Sequence, residues 1–245
     1  MEELKTKGIV IKAIDYKDSD KLVTIFSPDL GLIRARARGV KKNKAKLTFA
    51  AQPFAFVEFV LIQKGDFFTI VNASSIDQFF SITGDFDAFV FMMSCLEIIE
   101  KTIKQNEDQT EMFLLLLNAF KAVCYQNASP MIVFVKFMLE AMKILGFAIE
   151  LDSCANCGDF LKMGDYKFSY DFNGLICSKC ANRHDTLDVL AGEYAILNKV
   201  NITEMGKLSN LKFLSRNDMI SIISLLCKDF RLMTDEEIST IKQYM

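Results

Sequence analysis

Four cysteines stand in two close pairs, Cys154-Ala-Asn-Cys157 and Cys177-Ser-Lys-Cys180, with 19 residues between the pairs. A C-x2-C turn sets two thiolates on one side of the chain at the separation a tetrahedral ion needs, and a second such turn completes the tetrahedron. Gly158 follows the first pair and Asn173-Gly174 precedes the second, so the backbone is free to bend at both. This is the spacing of a four-cysteine zinc ribbon, and one Zn2+ per chain is expected. Its role is read as structural, because four thiolates leave no open coordination position for water or substrate. Cys95, Cys124 and Cys227 fall on apolar helical stretches and read as inert core residues. His184, four residues past Cys180, reads as an exposed, unliganded histidine.

The second group with chemical potential is a run of cations. Arg34, Arg36, Arg38, Lys41, Lys42, Lys44 and Lys46 occupy 13 residues, inside a window (30–57) that has no acidic residue. In a strand, the spacing of two puts the three arginines on one sheet face and Ile33, Ala35 and Ala37 on the other. Gly39 then permits a turn, and the lysines continue on a loop. Like charges this dense repel one another unless a polyanion neutralises them. Nucleic-acid phosphates are the favoured partner; an acidic protein, or a solvated face protecting an edge strand, are the alternatives. Phe49, Phe54 and Phe56 lie nearby as candidates for base stacking, although core packing is the commoner use of such residues.

The elements that must hold these groups change along the chain. Up to about residue 75 the pattern is of short strands: Gly8–Ile14, Leu22–Phe26, Leu32–Val40, Phe54–Ile62 and Phe67–Val71, with turns at Pro28-Asp29-Leu30-Gly31 and Lys64-Gly65-Asp66. Five strands in so few residues suggest a small barrel, with the OB-fold as the leading form. From about residue 83 the period is helical, over Asp85–Lys104, Glu111–Gln126 and Met131–Leu145. Ser129, Pro130 and Gly146 mark the start and stop of the third of these. Ser215 with Asp218 opens a helix over Arg216–Met233, and Thr234 with Glu237 reads as a capping box for another over Asp235–Tyr244. The expected organisation is α+β: residues 1–80 an OB-fold nucleic-acid-binding domain, residues 81–245 an α-helical domain, and an inserted four-cysteine zinc ribbon at about 150–184.

Charge is divided the same way. Residues 1–80 carry 13 basic and 9 acidic side chains, whereas the remainder carries 16 and 22, within a chain of net charge -2. Any polyanion is therefore expected at the first part. The start is charged and without an apolar signal core, and no apolar run approaches the roughly 18 residues that span a bilayer. These features fit an intracellular protein without a membrane partner, and seven cysteines, an odd number, argue against a disulfide framework.

Several short motifs occur together in a familiar order. Thr24-Ile-Phe26, Gly31, Arg38-Gly39-Val40-Lys41, Leu47 and Gln52-Pro53-Phe54 resemble the N-terminal signature of the bacterial repair protein family RecO. Lys136-Phe137 through Leu145-Gly146-Phe147 resembles a helix of the same family, and the four cysteines stand where many members carry a zinc element. The likeness covers nearly the whole chain. It implies a DNA repair and recombination mediator that binds single- and double-stranded DNA and anneals complementary strands. With RecR, such a protein loads RecA onto strands covered by single-strand-binding protein, at the nucleoid in the cytoplasm. It also implies docking of the acidic C-terminal tail of single-strand-binding protein on the helical domain, with Lys136 as the contact carried over. The loop after Gly39 departs from the family in having more lysines.

An enzyme is not expected. A single histidine excludes most histidine-based catalytic sets, and neither G-x-x-x-x-G-K-[ST] nor G-x-G-x-x-G occurs. Asp15, Asp18 and Asp20 sit in a polar hairpin with no partner identifiable from sequence. The alternatives to a DNA mediator are an OB-fold and zinc-ribbon RNA-processing factor, or an adaptor that does not bind DNA.

Overall fold

A computed structural model describes residues 3–42, 45–65, 67–105, 107–161, 166–182, 184–211 and 215–244. The chain divides into two compact units, Met1–Asp85 with Leu96–Leu117, and Phe86–Cys95 with Asn118–Met245.

In the first unit, β1 (Glu3–Tyr16), β2 (Asp20–Ser27), β3 (Gly31–Ala37), β4 (Phe56–Lys64) and β5 (Phe67–Asp77) close a barrel in the order β1-β2-β3-β5-β4. This is the expected five-stranded, OB-like barrel, with longer first and last strands than the sequence pattern suggests. β3 and β5 run parallel, and the other barrel pairs are antiparallel. Closure depends on β1, whose register shifts between Val10 and Lys12. Its first half pairs with β4 and its second half with β2, so one bent strand serves two neighbours. Val10, Val23, Ile25, Ile33, Phe59 and Leu61 are buried together in the shared core.

Residues 96–117 pack against the barrel within the same unit. The Phe113 ring lies 5.6 Å from that of Phe26 and 5.8 Å from that of Phe56. The Gln109 N–H donates to the Pro28 carbonyl at 2.8 Å, and Gly31 bridges to Gln105. Gly31 has φ +63°, and a Cβ there would run into the Lys104 carbonyl, so both backbone conformation and space call for glycine. A short helix, α1 (Phe80–Gly84), follows the barrel; α2 (Phe86–Thr102) and α3 (Thr110–Gln126) each contribute residues to both units.

The second unit is built on α4 (Pro130–Ile144), which has eleven buried residues and therefore serves as a core helix rather than an amphipathic surface one. Pro130 occupies its first turn and Gly146, at φ +92°, follows its end, as expected; the Ser129 side chain makes no cap hydrogen bond. After α4 comes the cysteine-bearing element, with β6 (Lys167–Ser169), β7 (Gly174–Ile176), α5 (Ser178–Ala181) and β8 (Leu187–Asp188). Its three strands are ordered β7-β6-β8. Next are α6 (Ala191–Ile202), which sequence periodicity does not reveal, and α7 (Arg216–Thr234). Both pack on α4. The Ser215 hydroxyl accepts from the Asp218 N–H, the expected cap of α7.

The helix expected over 235–244 is not formed. Asp235 takes a left-handed conformation, φ 58°, and closes α7 by donating its N–H to the Arg231 carbonyl. The Thr234 hydroxyl bonds back to the Phe230 carbonyl at 2.7 Å, so Thr234 finishes one helix instead of starting another. Only a 3-10 turn, Thr240–Tyr244, follows. Within α7, Asp229 is fully buried, and neither carboxylate oxygen has a hydrogen-bond partner among the described residues. Burial pushes its carboxyl up to about 7. Among the described residues, no helix is long and apolar enough to cross a membrane.

Candidate functional site

The sulfurs of Cys154, Cys157, Cys177 and Cys180 lie within 4.8 Å of one another. Each knuckle is held by its own backbone. At the first, the Gly158 N–H donates to the Cys154 carbonyl at 2.8 Å, with Gly158 at φ +76°. At the second, Cys177 leads into α5 and its carbonyl accepts from the Cys180 N–H at 3.0 Å. The Ala155 N–H reaches across to the Leu175 carbonyl at 2.8 Å and joins the two knuckles. Close approach there requires Gly174, because a Cβ would fall 2.7 Å from the Glu150 carbonyl oxygen.

This donor set fits a metal ion. A tetrahedron with arms of about 2.3 Å has edges of about 3.8 Å, and the Cys157 and Cys177 sulfurs are 3.9 Å apart. Burial opposes ionisation of Cys154, but the N–H groups of Cys177, Cys157 and Asn156 outweigh it and bring the thiol down to about 6. The Asp159 N–H favours the Cys157 thiolate, yet crowding by Cys154, burial, Cys180 and Cys177 together push that thiol up to about 12. Without a cation the four sulfurs cannot all be thiolates. A cation at their centre removes the conflict. His184 stands outside the cluster, half-buried with its ring edge-on to Phe172 at 4.8 Å, not freely exposed. Cys95 and Cys227 are buried, as expected of core thiols, and Cys124 is half-buried.

On the barrel, β3 alternates as its sequence suggests. Ile33, Ala35 and Ala37 are buried, Arg34 and Arg38 exposed, and Arg36 half-buried. The cations are not equivalent. The Arg36 Nε donates to Asp20 Oδ2 at 2.7 Å, while Asp20 Oδ1 accepts from the Gly39 N–H at 2.8 Å. These two contacts, the Gly39 N–H first, hold the Asp20 carboxyl below the usual range. Lys41 Nζ pairs with Asp15 at 2.6 Å. Asp15 and Asp20 thus anchor the loop that follows β3. Arg34, Arg38, Lys42 and Lys46 are exposed and have no carboxylate partner among the described residues. Lys44 lies outside the described residues.

The aromatic candidates near this face are differently placed. Phe54 is 1% exposed, at φ 72°, and Phe56 packs on Phe113. Tyr16 and Phe67, which line a cavity with Arg36 and Arg38, are exposed, and sequence reasoning missed them. Phe67 begins a strand right after a turn, and that was the available signal.

Residues 1–79 match the family described as Recombination protein O N terminal, and residues 83–218 match Recombination protein O C terminal. The chain is 30% identical over 209 residues to a DNA repair protein RecO from Acetivibrio thermocellus, covering 85% of this chain and 83% of the relative. It is 26% identical over 241 residues to a protein of the same name from Caldicellulosiruptor saccharolyticus, covering 98% and 97%. The chain belongs to the RecO family.

In this RecO-family chain Lys136, the residue expected to face a partner, is only 6% exposed. Its ammonium pairs with Glu140 and donates to the Asn201 carbonyl, both at 2.7 Å. The Asn201 bond fastens α4 to the last turn of α6, while the Glu140 pair lies within α4. The side chain positions two RecO helices instead of offering a free cation to solvent.

Proposed function

We propose that the chain is a DNA repair and recombination mediator. It binds single- and double-stranded DNA on the basic face of the barrel and anneals complementary strands. With RecR, it assists loading of RecA onto strands covered by single-strand-binding protein, at the bacterial nucleoid. Membership of the RecO family supports this role. The observation that carries the DNA contact is that Arg34 on β3, and Arg38, Lys42 and Lys46 in the segment that follows it, have no carboxylate partners among the described residues. Phosphates satisfy such cations without reading sequence.

The work is binding and alignment, with no catalytic turnover. The metal is Zn2+, which four thiolates suit, and it stabilises the element between α4 and α6. The acidic tail of single-strand-binding protein docks on the helical unit. Lys136 serves that docking through the α4–α6 geometry it fixes.

The test is annealing of complementary strands coated with their single-strand-binding protein. The chain should accelerate duplex formation, and Arg34→Gln with Arg38→Gln should slow it. An unchanged annealing rate on adding the wild-type chain refutes the mediator role.

A further inference from the structure

Phe67 is 53% exposed, although it belongs to a strand of a closed barrel. Its ring lines two cavities of the first unit. One, of about 490 Å³, also has Thr24, Leu32, Arg34, Glu100 and Gln105 on its walls. The other, of about 430 Å³, has Tyr16, Leu22, Arg36, Arg38 and Phe68. The parallel pairing that sets Ala35 beside Phe68 also puts Arg34 and Phe67 on neighbouring strands, one residue earlier. Phe67 has no aromatic partner among the described residues, whereas Tyr16, which lines the second cavity with it, has the Arg36 guanidinium 5.5 Å from its centroid. An apolar ring left open between Arg34 and Arg38, which have no carboxylate partner among the described residues, is an odd place to expose a phenylalanine. About half of Phe67 is covered by its neighbours, and the rest faces solvent.

We propose that Phe67 is a base-stacking platform, and that it makes this face select single-stranded over duplex DNA. The inference rests on the proposed DNA contact and adds strand selectivity to it. The arginines on either side take the phosphates of one strand while the ring takes a base turned toward the barrel. An aromatic ring stacks on any base, so sequence matters little. In a duplex both faces of each base are already stacked, and Phe67 has nothing to receive. Charge favours this occupant over an apolar peptide, because Arg34 and Arg38 would be left without counterions beside one.

The chain contains no tryptophan, so Phe67→Trp gives a single reporter. Its emission should be quenched when oligothymidylate binds, and hardly at all with an abasic strand of equal length or with duplex. Binding itself is followed separately by anisotropy of labelled DNA. Phe67→Ala and Phe67→Leu should each weaken single-strand binding by about tenfold, the range of one lost stack, and leave duplex binding and the salt dependence unchanged. Leucine keeps apolar area and lacks the ring, so a normal affinity for Phe67→Leu assigns Phe67 to simple burial and overturns the platform. Binding by anisotropy without quenching in Phe67→Trp overturns it too, and leaves DNA contact by the cations standing. Absence of any DNA binding by the wild-type chain removes both readings.

Discussion

Two double substitutions separate cations that are free from cations that are already paired. Arg34→Gln with Arg38→Gln removes two charges that have no carboxylate partner among the described residues. Asp15→Asn with Lys41→Gln removes an exposed ion pair as a unit and leaves the net charge unchanged. Four free cations meeting phosphates give log affinity a slope of about -2.8 against log salt on single strands, from about -0.7 per contact. The first double variant should therefore flatten the slope by about 1.4, and the second should leave it in place. Asp15→Asn alone provides the opposite sign. It releases Lys41 from its partner and should steepen the slope by about 0.7. These differences do not depend on Lys44. The assay is anisotropy of a labelled oligothymidylate at several salt concentrations, with thermal melts to confirm folding. If Asp15→Asn with Lys41→Gln flattens the slope as much as the arginine pair does, internal pairing does not decide which cations meet DNA, and the reasoning fails.

Metal analysis of the purified chain should give about one zinc per chain, and Cys154→Ser or Cys177→Ser should lose it and lower the melting temperature; a folded, zinc-free preparation with four free thiols contradicts the assignment. Lys136→Met should cost about 1–3 kcal/mol in urea unfolding, because the Asn201 carbonyl and Glu140 lose their partner. A variant as stable as wild type shows that the Asn201 bond does not fasten α4 to α6. Asp229→Asn tests the buried carboxyl. Raised to about 7 in the fold, against about 3.9 unfolded, it contributes stability that is present in acid and lost as pH rises through neutrality. Wild type should therefore lose about 3 kcal/mol more than the variant between pH 5 and pH 8, and parallel curves rule the shift out.

What sequence made legible was whatever a local period dictates. The alternation of Ile33, Ala35 and Ala37 with arginines identified a strand with one buried face, and β3 has that face. The cysteine pairs were equally plain, because two C-x2-C turns supply the four ligands of a tetrahedral ion, and the four sulfurs do converge. Pairings across the barrel were not legible. Arg36 meets Asp20 only because β2 pairs with β3 in a register that sets Lys21 opposite Ala37. Residue types said that acids and bases were present, not which would meet. The same closure decides between phenylalanines: Phe54 is driven inside and Phe67 is left out, although both flank strands in an apolar sequence.

Lys136 marks the boundary between these cases. Sequence suggested an outward cation, but α4 carries only Lys136, Glu140 and Lys143 as charges among fifteen residues. On the buried face of so apolar a helix, a lysine must either find a partner or lose its charge. Glu140 stands four residues on, the spacing at which helix side chains meet, so half of the answer was written locally. The other half, the Asn201 carbonyl, is supplied from 65 residues away at the end of α6. That helix had left no periodic trace in the sequence. A buried charge is thus a question that one element poses and a distant one answers, which is why the partner of Lys136 could be read only from the fold.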